Sequence, residues 1–275
     1  MKRLIITAIF CGIMGSLCAQ QIKADSVIRD TTRAKKHFRV RIGSGSDTSG
    51  VNNRFNKLSK KIADRKSKPG FTFGLTFTNF HLGFATLLDN GSFTLSQKND
   101  FLDYRQIKTS NVGFDVIKFG YRFNDRFKVT LDGGFDWTLI RLKKNISIVP
   151  DAPTLTYRAD DIAYSKNRLS SNYFVMPLTF DIRSKEYENG KRFHFMFGPE
   201  AGFLIDGMQK QISDEHGKTK NFNDFHFTRF EYSGFIRLLY GSDGIYVKYN
   251  FNDMFENSPD QKGLKTLSVG LVLGF

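Results

Sequence analysis

The side chains able to do chemistry in this 275-residue sequence are few and scattered. Its five histidines, His37, His81, His194, His216 and His226, stand at no spacing that would let two of them share a metal ion. No glycine-rich phosphate loop follows a strand and opens a helix. Two arrangements would suit a hydrolase built on a barrel wall, His226 with Thr228 and His194 with Glu200. A histidine set among phenylalanines serves a structural role just as readily. The paired carboxylates Asp160–Asp161 and Asp214–Glu215 offer oxygen ligands to a divalent cation, or are simply solvated loops. No catalytic residue, metal site or cofactor is therefore assigned.

A different set of charges does recur with a pattern. Lys128, Asp132 and Asp136, then Asp181 and Arg183, Glu200 (with His194), Glu231 and Arg237, and Lys248 each lie on alternate positions of segments whose other positions are apolar. Acids and bases gathered on one face can neutralise one another, which is the chemistry of pairing rather than of catalysis.

The elements that carry these charges read as strands, because the apolar period from Pro69 onward is two. Phe71, Phe73, Leu75 and Phe77 alternate with Thr72, Gly74, Thr76 and Thr78. Further apolar faces are Phe127, Val129, Leu131, Phe135, Trp137 and Leu139; Phe174, Met176, Leu178, Phe180 and Ile182; and Phe193, Phe195, Phe197, Ala201, Phe203 and Ile205. Ile245 to Phe251 and Leu267 to Phe275 alternate in the same way. Two less regular segments, Val112 to Phe123 and Phe230 to Tyr240, bring the total to eight strands. The first of them changes parity near Val116–Ile117, where a β-bulge is expected.

The connections alternate in length. Tight turns are expected at Asn124–Arg126, through Glu188–Gly190 and at Gly241–Gly244, with longer connections, ~20 to ~30 residues for the first three, between the other pairs. Short turns on one side and long loops on the other are the habit of outer-membrane barrels, and an even strand number leaves both ends on the short-turn side, the periplasm. Alternation alone does not say which face looks inward; a secreted, lipocalin-like ligand-binding barrel has eight strands with an apolar inside. The charges favour the membrane arrangement, since eight strands leave an interior just wide enough for side chains to fill and pair. The expected fold is all-β: an eight-stranded antiparallel up-and-down transmembrane β-barrel over 70–275, filled and without a wide pore.

The ends of the sequence suggest export. Lys2 and Arg3 precede an apolar run from Leu4 to Leu17 and the small residues Ser16, Cys18 and Ala19, the pattern of a signal peptide over 1–19. The run is shorter than the ~20 apolar residues of a membrane-spanning helix. Lipidation at Cys11 or Cys18 is the alternative, but Phe10 and Leu17 precede them where a small residue is wanted. Both cysteines lie in that segment, so the rest of the chain has no disulfide or thiol ligand.

Residues 20–69 are basic and poor in apolar side chains, with a Gly/Ser run from Gly43 to Gly50 and a short stripe of Val51, Phe55, Leu58 and Ile62. The formal charge of +14 is concentrated there, so a nucleic-acid partner for the barrel is not expected. An anionic lipid surface or an acidic protein face is the partner that such a largely disordered periplasmic segment would suit.

The sequence closes on Ser268-x-Gly270-x-x-Leu273-x-Phe275, the polar, glycine, hydrophobic and terminal-aromatic pattern through which the barrel assembly machinery reads a C-terminal strand. Asn172-Tyr-Phe-Val-Met-Pro177-Leu178 followed by Gly198-Pro199-Glu-Ala-Gly202 resembles the PorT-like outer-membrane β-barrel family, over about Gly70 to Phe275. The resemblance implies an eight-stranded barrel in a Gram-negative outer membrane and no shared activity. The expected function is non-enzymatic: structure, assembly or envelope interaction. An outer-membrane lipid hydrolase and the secreted ligand-binding barrel are the alternatives.

Overall fold

The structure, a computed structural model, describes residues 69–274. The expected signal peptide, the basic segment up to residue 68 and Phe275 lie outside the described residues.

The period-two segments form strands because alternate side chains of an extended chain point to opposite faces. In chain order these are β1 (Gly70–Asp89), β2 (Ser110–Arg122), β3 (Phe127–Leu142), β4 (Ile146–Val149), β5 (Thr156–Ala159), β6 (Lys166–Arg183), β7 (Phe193–Ser213), β8 (Gly217–Asn223), β9 (Phe230–Tyr240), β10 (Asp243–Asn250) and β11 (Leu264–Leu273). Eight of them, β1, β2, β3, β6, β7, β9, β10 and β11, pair antiparallel with their neighbours and close through β1 on β11 and β6 on β7. Short 3₁₀ turns aside, the described residues contain no helix. The bulge falls where the parity changes, between Asp115 and Ile117. β1 carries two further register shifts, between Leu75 and Thr78 and between Thr78 and His81.

The barrel is strongly sheared. Gly70 pairs with Arg122, Arg122 with Lys128, Lys128 with Asp181, Asp181 with Met196, Met196 with Arg237, Arg237 with Tyr246, Tyr246 with Gly270, and Gly270 with Gly83. One circuit begun at Gly70 therefore returns to β1 at Gly83, so the strands are tilted steeply to the axis. The described ends of the barrel, Gly70 and Leu273, share the short-turn end, because Gly70 pairs beside the turn at 123–126 and Leu273 pairs with Asp243 beside the turn at 241–242.

Polarity is distributed inside out. Phe71, Phe73, Leu75 and Phe77 are 74, 69, 68 and 65% exposed. Leu131, Met176, Phe195, Phe203, Ile236, Val247 and Leu271 continue that exposed apolar belt around the wall. The inward positions hold Asp115, Asp132, Asp136, Glu200, Arg237 and Lys248, all buried.

At the opposite end the long connections do not hang free. Phe101, Leu102 and Tyr104 from the first, Ile146, Ile148 and Leu155 from the second, Phe225 and Phe227 from the third, and Met254 and Phe255 from the last converge on Leu87, Ile140, Leu169 and Leu264 of the strand ends. These residues form the main apolar core of the molecule and cap one mouth of the barrel. β4 and β5 pair as a hairpin within the cap, and β8 extends β7 beyond the wall. Backbone groups buried by the cap are met by side chains. Ile148 N–H donates to Gln209 Oε1 at 2.9 Å, and Gln209 Nε2 donates to the Ile146 carbonyl at 2.9 Å and to Asn167 Oδ1 at 3.0 Å. Leu155 N–H donates to Ser258 Oγ at 2.9 Å, which ties the second loop to the last.

Candidate functional site

The interior charges are held where strand register brings inward positions level. Their centre is Asp136 on β3. Lys248 Nζ on β10 reaches Asp136 Oδ2 at 2.8 Å and Glu200 Oε1 on β7 at 3.3 Å. His81 Nε2 on β1 sits 2.9 Å from the same Asp136 oxygen, and Asn111 Nδ2 donates to Asp136 Oδ1 at 2.6 Å. Tyr246 Oη donates to Asn111 Oδ1 at 2.9 Å, and Ser233 Oγ lies 3.4 Å from Glu200 Oε1. Six strands thus contribute to one ion cluster that spans the lumen.

Two smaller groups flank it. Arg237 on β9 faces Asp115 on β2 at 3.8 Å, and Asn79 Nδ2 donates to Asp115 Oδ2 at 2.7 Å. Near the short-turn end, Asp181 is held by Arg183 at 2.6 Å and by His194 at 3.0 Å. Asp132 accepts from Thr130 Oγ1 at 3.1 Å and stands opposite Lys118 in register, as Lys128 stands opposite Asp181. Glu231 is half-buried next to Tyr232 on β9, six residues from Arg237. At the rise of a strand that is ~20 Å. The expected Glu231–Arg237 contact is therefore not made: the carboxylate facing Arg237 is that of Asp115, while Glu231 bonds Asn250 and stands in the field of Lys248, Asp136 and Glu200.

The geometry needs room that only glycine leaves. Gly83 and Gly270 face each other across the β1–β11 seam, and a Cβ on Gly270 would stand 2.3 Å from the Gly83 Cα and from the Leu82 carbonyl oxygen. A Cβ on Gly83 would meet Tyr246 Oη at 2.7 Å. The absence of both side chains lets the Tyr246 hydroxyl cross the seam to Asn111. Gly270 thus has a packing role beside its place in the C-terminal pattern. Of the rest of that pattern, Ser268 is buried in the lumen, Leu273 is on the exposed belt and Phe275 lies outside the described residues.

The pairings considered for hydrolysis are not assembled. His194 bonds Asp181 while Glu200 bonds Lys248, and Thr228 Oγ1 donates to the Asp253 carbonyl at 2.6 Å with the His226 Nε2 buried and unpartnered. Asp160 is engaged by Ser147, by Tyr164 Oη at 3.0 Å and by Arg158 Nε at 3.2 Å. Burial would raise its carboxyl, but these hydrogen bonds outweigh it and hold Asp160 below its ordinary value. Among the described residues no group of three or more His, Cys, Asp or Glu is placed to hold a metal ion.

Sequence reasoning missed Asn79, Asn111, Asp115 and Tyr246 as members of the lumen and left His81 without a partner. Asp115 stands at the bulge, where the parity rule changes sign. Carrying period two backward from Gly83 would have turned His81 inward. No protein-family model matches the chain, and no curated protein matches it.

Proposed function

We propose that this chain is an integral barrel protein of a Gram-negative outer membrane, filled by ion pairs and capped by its long loops, with a non-enzymatic role in structure, assembly or envelope interaction. The observation that carries the reading is the inverted polarity of a closed barrel: exposed Phe, Leu and Val outside, and Asp136, Lys248 and Glu200 within. An apolar belt of this extent on a water-exposed wall would drive aggregation, whereas in a bilayer it is solvated. A ligand-binding barrel in water would carry the opposite arrangement, with its ions outside.

In this reading the long-loop cap faces outward and the short-turn end faces the periplasm, where residues 20–69 would meet anionic lipid headgroups or an acidic protein. The PorT-like resemblance of Asn172–Leu178 and Gly198–Gly202 points the same way. The C-terminal strand would serve the barrel assembly machinery, with Phe275 as its terminal aromatic. Fractionation of cells expressing the full chain tests the proposal. Recovery in the outer-membrane fraction, with migration on gels that changes on heating, is expected; recovery in the soluble periplasm overturns it. Deletion of Phe275 should lower the outer-membrane amount while leaving refolding in detergent nearly normal.

A further inference from the structure

Above the apolar belt, on the same outer wall, four cations stand side by side. Arg141 on β3 is the register partner of Arg168 on β6, Arg168 of Lys210 on β7, and Lys210 of Lys220 on β8. On the three barrel strands the flanking residues Ile140, Leu142, Asn167, Leu169, Gln209 and Gln211 are buried inward, so Arg141, Arg168 and Lys210 project outward. Neighbouring strands lie ~4.8 Å apart, so the row spans ~15 Å. Lys166 and Lys218 stand two residues from it, each opposite Ile212.

Like charges directly opposite one another across a sheet are destabilising. The ion pairs of the described residues engage none of the four. Arg141 donates to the Ser165 carbonyl at 2.7 Å, and the Arg168 Nε is buried without a hydrogen-bond partner. Asp206, which has interactions of its own, is four residues nearer the belt, opposite Asn172. The row begins at the edge of the belt and climbs away from it. Arg141 follows Phe135, Trp137 and Leu139 on the outer face of β3, ~7 Å along the strand beyond the last apolar residue, and the shear of the wall carries Arg168, Lys210 and Lys220 progressively farther toward the long-loop side, across the depth of a headgroup layer.

We propose that the row Arg141–Arg168–Lys210–Lys220 binds the phosphate groups of anionic lipid in the leaflet on the long-loop side. This rests on the membrane reading above. The lipid phosphates supply the counter-charge that the sheet lacks, and an arginine fork is suited to phosphate oxygens.

The test uses the full chain, so that the basic segment 20–69 is common to every sample. Wild type and the Arg141→Gln/Arg168→Gln/Lys210→Gln/Lys220→Gln variant are refolded into phosphatidylcholine bilayers, with and without phosphatidylglycerol, and unfolded by heat. Phosphatidylglycerol should raise the wild-type midpoint by ~5 °C, less at high salt, and leave the variant unchanged. In phosphatidylcholine alone the variant should be at least as stable as wild type, because repulsion is removed. A charge-preserving exchange of Arg for Lys and Lys for Arg should retain most of the gain. If the fourfold variant does not refold, Lys210→Gln/Lys220→Gln, at the outer end of the row, should halve the gain. An equal gain in variant and wild type overturns the assignment, as does no gain in either, and an equal gain from inorganic phosphate assigns the row to free anions instead. Failure of the wild type to insert into phosphatidylcholine would overturn the membrane reading, whereas insertion without a lipid-charge effect would overturn the row alone.

Discussion

The middle of the barrel and its long-loop cap are both buried, yet they are built from opposite chemistry. Halfway along the lumen the packing is ionic: Lys248 between Asp136 and Glu200, with His81, Asn111 and Tyr246 around them. In the cap it is apolar, with Leu102, Ile140, Leu169, Phe225 and Leu264 fully or almost fully buried. The difference follows from what stands on the other side of the backbone. A wall residue has a neighbour in sequence on the outer belt, so a strand that is apolar outside keeps its polar positions for the interior. Loop residues carry no such alternation and can turn all their apolar groups to one core. The same barrel thus has a specific, charge-ordered middle and an end held by area and shape.

Removing the central cation should have the largest effect. Lys248→Met leaves Asp136 and Glu200 without the ammonium they share and should lower stability by ~3–5 kcal/mol, because a buried charge loses its partner. Urea titration of the refolded barrel, followed by tryptophan fluorescence from Trp137, measures this. A loss below ~1 kcal/mol would mean that water or other cations replace Lys248.

The corresponding change in the cap is Phe227→Ala, which breaks the stacked pair of Phe227 and Phe255, whose ring centroids are 5.2 Å apart. A loss of about 3 kcal/mol is expected, confined to the loops. Limited proteolysis between Lys143 and Arg229 should accelerate while the wall keeps its heat-dependent gel migration. Simultaneous melting of both regions would show that cap and wall are one cooperative unit.

The grouping within the lumen can be sharpened by double-mutant cycles. Asp115→Asn with Arg237→Gln should show a coupling of ~1–2 kcal/mol, whereas Glu231→Gln with Arg237→Gln should be additive within ~0.5 kcal/mol. The reverse result would place Glu231, rather than Asp115, beside Arg237.

The smallest effect concerns acid and the cap. Asp89 accepts from Ser96 N–H at 2.7 Å, from Asn99 Nδ2 at 2.9 Å and from Asn90 Nδ2 at 3.0 Å, which ties the first long loop to the end of β1. Burial opposes ionisation, but these bonds outweigh it and hold the carboxyl below its ordinary 3.8. A depressed carboxyl stabilises the folded state fully above its unfolded value, and that contribution is lost as pH falls through the folded one. The first loop should therefore loosen only below about pH 3.8, seen as faster amide exchange at Ser96, and Asp89→Asn should remove the pH dependence.

Strands were legible because period two is a local property; all eight wall strands, and the bulge at Val116, follow from alternation and its one break. The polar faces were legible for the same reason. Partnership within them was not, because it depends on shear: Asp115 reaches Arg237 through a register set by every strand between them. The cap was illegible altogether. Phe101 and Leu102, Phe225 and Phe227, and Met254 and Phe255 sit in irregular segments, and only tertiary contact brings them together. Long loops thus read as solvated where they are in fact packed, and the strands β4, β5 and β8 inside them went unseen.

The seam between β1 and β11 has a consequence in time. Every other strand pair of the wall joins neighbours along the chain, whereas Gly83 and Gly270 meet across nearly the full length of the barrel sequence. Contacts so distant form slowly, since the intervening chain must be ordered before they can be made. Until β11 arrives, β1 and β10 each keep an open edge with Phe84 and Val247 beside it, the kind of surface on which unfinished sheets join one another. The ten residues of β11 are then the rate-determining part of the molecule: how long the open barrel survives, and whether it closes on itself or on a neighbour, depends on how quickly Leu264–Leu273 finds β1.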